Sequence, residues 1–160
     1  MKALRWARRL PVAEGIDVRA AGIAGLAAGA AFVAVLEADV RLTGNNVDDL
    51  VFLGRPLAGK PTLARPVGLA LHAANSVGFA LLYARLHDRL PGPPWWRGLL
   101  FFNVENVLLY PFLVFEEWHP AIRDGQLDRY WAWPSFLQSI PRHVAYGAVL
   151  GPVYARLRRR

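Results

Sequence analysis

The chain has 160 residues, 54% of them hydrophobic, with six Trp, no Cys and a formal net charge of +7. A domain-sized chain this apolar reads as a membrane protein rather than a soluble domain. The missing Cys excludes disulfides, thiolate metal sites and thiol catalysis, and the basic residues flank apolar runs instead of forming a face interleaved with aromatics, which argues against a nucleic-acid partner.

In chain order, residues 1–19, opening "MKALRWARRL", form a basic interfacial arm suited to anionic lipid headgroups. Four spans are expected at about 20–39, 66–86, 95–116 and 135–156, each near the ~20 helical residues that cross a hydrocarbon core of about 30 Å. The first carries Gly22, Gly25 and Gly29 on one face, and its Gly25-x3-Gly29 pair admits a close neighbour, either the third span or the first span of a second copy. A loop at about 40–65 follows, with Gly-Asn-Asn turn chemistry and a short amphipathic piece from Val47 to Leu53. Between the second and third spans, "LPGPPWW" is a tight turn, since its prolines cannot continue a helix and Trp95 and Trp96 suit the headgroup interface. The third span contains "FFNVENVLLYPF", with three polar residues in an apolar helix and a Pro111 that permits a kink. A loop at about 117–134 contains four aromatics, and the fourth span is interrupted by Pro141, Arg142, Gly151 and Pro152.

Orientation follows from the cations. The arm, the "RLHDRLPGPPWWRG" connection and the C-terminal tail hold twelve of the nineteen Lys and Arg, so the positive-inside rule puts both termini in the cytoplasm and both longer loops outside, Arg142 counting with the external residues. The expected localisation is the cell membrane, as one multi-pass domain covering 1–160.

Residues 71–86, "LHAANSVGFALLYARL", and 142–157, "RHVAYGAVLGPVYARL", share His72 and His143 and a terminal Tyr-Ala-Arg-Leu. With Glu37 ending the first span and Glu116 the third, the chain reads as a duplicated hairpin. The expected fold is therefore an all-α bundle of four transmembrane helices, two tandem parallel hairpins related by a pseudo-two-fold along the membrane normal.

The chemistry-bearing residues lie inside the spans. His72 and His143 are expected at one depth, and Asn75 follows His72 on the same helix face. Glu105, flanked by Asn103 and Asn106, falls near the bilayer midplane, where an acid costs about 2.5–3.5 kcal/mol unless paired, protonated or wetted. Counted by helical rise, Glu37 and Glu116, then the His pair, then Glu105 form a descending series with gaps of about 8 Å. Ligand binding, or permeation of an ion, proton or small solute, is the favoured reading, and permeation through so thin a wall would require a homo-oligomer. An accessory or assembly subunit of a larger membrane complex is the alternative. A redox protein is the third, with haem between His72 and His143 or a metal at "EEWH", where Glu116 and His119 have i, i+3 spacing. No catalytic triad, phosphate loop or dinucleotide fingerprint is present, so an enzyme is the less favoured class, no metal site is expected and the cofactor stays open, with none favoured and haem as the alternative.

Overall fold

The computed structural model describes residues 15–158, so most of the basic arm, together with Arg159 and Arg160, lies outside it. The described residues are helical and contain no strand. Helix α1 spans Val18–Thr43; the Asp17 carboxylate accepts from the Ala20 amide at 2.8 Å, and Gly44 at φ 71° takes the left-handed turn that stops the helix. A short α2, Asp49–Gly54, is capped by Asp48, whose side chain accepts from the Leu50 and Val51 amides. α3 spans Ala64–Leu86, and α4, Pro94–Leu109, begins at a proline whose missing N–H is no loss in a first turn. α4 does not bend and resume. From Tyr110 to Trp118 the chain continues as 3₁₀ helix, because Pro111 has no N–H to donate into an α ladder. α5 is one turn, Pro120–Arg123, and α6 runs over Trp133–Leu157 with Pro141 and Pro152 inside it.

Three helical stretches, Val18–Thr43, Pro61–Arg89 and Pro94–Trp118, are long and apolar enough to cross a membrane. α6 is as long, but Gln138, Arg142 and His143 make it more polar.

α1 and α6 pack against each other; α3 lies on α1, α4 lies on α6, and α2 sits on the start of α3. Small residues set the α1–α3 and α4–α6 crossings. A Cβ at Gly25 would collide with the Ser76 carbonyl and one at Gly29 with the Ser76 hydroxyl. The partner of this glycine pair is therefore the second apolar helix, not the third or a neighbouring copy, because the short α2 connection turns α3 back along α1. At the α4–α6 crossing, Gly98 meets the Gly147 carbonyl and Gly151 meets the Pro94 carbonyl. α3 and α4 approach each other through rings, Phe79 on Phe102 at 5.7 Å and Tyr83 on Phe101 at 5.5 Å.

These rings belong to a core at the end of the molecule where the described chain begins and ends, hereafter the termini end, with Ala20, Ala24, Ala80, Leu150 and Tyr154. A second core at the opposite, loop end gathers Val47, Val51, Ala64, Ala121, Leu127 and Tyr130.

Candidate functional site

Between the two cores α3 and α4 separate, and a cavity of about 370 Å³ opens there. Phe79, Phe102 and Tyr146 close it toward the termini end, with Phe102 stacked on Tyr146 at 3.6 Å between centroids. Phe52, Leu113 and Tyr130 cover it at the loop end. Asn75 on α3 and Leu109 on α4 line it and are themselves exposed, so the mouth lies between these two helices.

His72, Asn75, Glu105, Asn106 and His143 all line this one space. Asn103 does not; its amide donates to the Leu99 carbonyl of its own helix at 2.9 Å. Asn106 donates to the Ser139 hydroxyl at 2.9 Å, joining α4 to α6. Both imidazoles pack on the Phe32 ring, at 5.0 Å for His72 and 5.3 Å for His143, so they share a level.

Glu105 lies beside His143, its Oε2 3.5 Å from Nε2, rather than a step below the His pair. The offset arises because Arg97 is no counterpart of Arg156: Gly98 crosses α6 between Gly147 and Gly151, which raises everything above it on α4. The Glu105 side chain is 15% exposed, and its Oε2 is a buried oxygen without a hydrogen bond. His143 Nδ1 lies 2.7 Å from the Ser139 carbonyl. A carbonyl only accepts, so Nδ1 carries a proton, and Nε2 is the ring nitrogen that faces Glu105.

The other candidates are occupied elsewhere. Glu37 pairs with Arg41 at 3.2 Å and with Arg65, which also holds Asp48. Glu116, 3% exposed, accepts from the Tyr130 amide, from the Trp131 amide at 2.7 Å and from Arg129 at 2.8 Å, and so folds the 119–132 loop over the bundle. His119 donates to the Phe52 carbonyl at 2.9 Å and accepts from the Ala121 amide at 3.3 Å. The descending acid relay therefore fails at its upper end, and in "EEWH" Glu116 and His119, the i, i+3 pair, are both committed to holding the loop. No group of three or more His, Asp or Glu among the described residues is placed to hold a metal ion. A haem does not fit between the histidines, because Phe32 packs on both rings and His72 Nε2 already meets the Gly29 carbonyl at 3.1 Å.

The residue the sequence reading missed is Arg142. It is 1% exposed, its Nε and Nη2 grip the Asp39 carboxylate, and its Nη1 donates to Asp49 and to the Val47 carbonyl, both at 2.8 Å. Gln138, one turn earlier, bridges Asp39 at 3.2 Å and Thr43 at 2.8 Å. The usable signal was an Arg inside an otherwise apolar helix, which requires carboxylates, with Asp39 and Asp49 in the adjoining segment.

The chain belongs to a family of unknown function, DUF6789, whose model matches residues 16–160. No curated protein and no solved structure matches it.

Proposed function

We propose that this is a four-span membrane protein, built from a duplicated hairpin, whose cavity holds a small amphiphile taken up sideways from the lipid. The reading of α6 as a fourth span is supported by its exposed stripe of Leu137, Pro141, Val144, Ala148 and Pro152, all apolar, while Gln138, Arg142 and Tyr146 are buried. Such a helix is polar on average yet apolar where lipid would touch it. Duplication is supported by the crossings: Gly25 lies against Ser76 and Ala80 on α3, and Gly98 against Gly147 and Gly151, the matching positions of the repeat on α6. The cations gathered at the termini end favour both termini in the cytoplasm.

One observation carries the binding role. An acid in the interior of a membrane bundle keeps an oxygen without a partner, in a cavity whose mouth faces lipid between α3 and α4. Unsatisfied polar groups at such depth are costly and mark sites where something else supplies the hydrogen bond. The volume is at the small end for ligand pockets, about 300–1,000 Å³, and the lining of aromatic and aliphatic side chains with a few converging polar groups is the usual composition. Permeation is less well supported, since the Phe79, Phe102 and Tyr146 layer closes the path toward the termini end. Binding within one bundle also requires no second copy.

The test is native mass spectrometry and lipid extraction of protein purified in nanodiscs. Wild type should carry a small amphiphile near one per chain, and Leu109→Trp, which fills the exposed mouth, should lose it while unfolding at an unchanged temperature. Wild type with no bound species, or a plugged variant that retains it, would overturn the reading.

A further inference from the structure

The chemistry of the occupant's head follows from which polar groups around the cavity are still free. Among the described lining residues Arg142 is the one permanent cation, and four of its five N–H groups are used on Asp39, Asp49 and the Val47 carbonyl. It has no fork to offer an incoming carboxylate or phosphate. Its two aspartates outnumber it, so the cluster carries one net negative charge before Glu105 is added. His143 commits its protonated nitrogen to Ser139, and His72 commits Nε2 to Gly29. The Ser76 hydroxyl, also without a partner, can donate or accept, and what otherwise remains buried toward the space is the acceptor Glu105 Oε2. At the loop end Tyr130 is 7% exposed, and its hydroxyl lies near Asp49.

Resting on the reading that the cavity binds a lipid-soluble molecule, we infer that it selects an amphiphile whose head donates hydrogen bonds, an amine or a hydroxyl, and rejects anionic heads. The donor meets Glu105, and the apolar chain leaves between Asn75 and Leu109 into lipid. An anionic head would face Glu105 and the surplus charge of the Asp39–Arg142–Asp49 cluster in a poorly screened interior, where like charges are penalised far more than in water. The same field attracts an ammonium.

Matched probes separate the head from the chain. Dodecylamine, dodecanol and dodecanoic acid are titrated against the full chain in phosphatidylcholine nanodiscs, with empty nanodiscs as the background. The amine should bind about tenfold or more tighter than the acid, the usual yield of one charge-assisted hydrogen bond, with the alcohol between them. Glu105→Gln should collapse the amine's advantage while the alcohol changes little. Asn75→Arg, which sets a cation at the mouth, should weaken the amine and strengthen the acid even if Glu105→Gln proves unstable. Tightest binding by the acid, or an amine preference indifferent to both substitutions, would overturn the head assignment and leave the cavity reading standing. No probe binding above empty nanodiscs would remove the cavity reading itself.

Discussion

Arg142 and Asp39 meet side by side, Nε to Oδ2 at 2.5 Å and Nη2 to Oδ1 at 2.6 Å, an ion pair that joins α6 to α1 with the guanidinium 1% exposed. Through Nη1 the same group holds Asp49 and so ties α2 to both helices. Removing the cation leaves two carboxylates without their counter-charge, and breaking a buried pair in this way costs about 3–5 kcal/mol. Arg142→Gln should lower the unfolding temperature in detergent sharply. Arg142→Lys should recover little, because an ammonium cannot bond the carboxylate edge-on while also reaching Asp49. The double variant Arg142→Gln with Asp39→Asn should cost less than the sum of the single changes, because each already removes the pair. A wild-type melting curve for Arg142→Gln would contradict the assignment.

Glycines divide into two groups that the structure separates cleanly. A Cβ at Gly98 would enter the Gly147 carbonyl and crowd the Gly151 amide, backbone atoms that cannot yield, whereas one at Gly22 or Gly78 meets nothing within 4 Å. Gly98→Ala should cost about 1–3 kcal/mol, the usual penalty for overpacking. Gly22→Ala and Gly78→Ala should be neutral or slightly stabilising, since alanine loses less backbone entropy in a helix. Denaturant titration of the three variants in one detergent ranks them, and equal effects at all three would refute the crossing.

The contrast shows what the sequence made legible. Runs of apolar residues locate helices well, and the expected ends near 20–39, 66–86, 95–116 and 135–156 lie within a few residues of Val18–Thr43, Ala64–Leu86, Pro94–Trp118 and Trp133–Leu157. Periodicity also puts Asn75 on the helix face of His72, and both line the cavity. It does not say which helix each face meets, because lateral pairing depends on the short α2 connection and on backbone crossings at glycine. The α3 partner of Gly25, the level of Glu105 and the carboxylates around Arg142 therefore became visible only in three dimensions.

Glu116 illustrates the same limit and yields a further prediction. Its carboxylate collects two backbone amides and Arg129, which makes it a principal anchor of the loop after Trp118. Losing the acceptor of a buried amide costs about 1–3 kcal/mol, and that cost falls on local opening of the loop. Glu116→Ala should raise the rate of tryptic cleavage after Arg123 by about tenfold or more. Unchanged cleavage would show that the loop is held by other contacts.

His119 gives the loop a pH dependence whose sign is fixed by geometry. Its ring lies parallel to Phe52 at 4.1 Å, and its Nδ1 accepts from the Ala121 amide, a bond that a second ring proton would abolish. Burial, reinforced by Arg55 nearby, holds its pKa below the ordinary 6.5 despite the opposing bond to the Phe52 carbonyl. Below that ordinary value the unfolded chain therefore binds a proton that the folded chain refuses. Stability from this group is complete above about pH 6.5 and declines as the pH falls through that value toward the folded one. His119→Gln keeps an acceptor at the position and removes the titration. Its unfolding temperature should fall less steeply than wild type's below about pH 6.5, and the two curves should run parallel above it. A wild-type acid limb that survives His119→Gln unchanged would assign the dependence to another group.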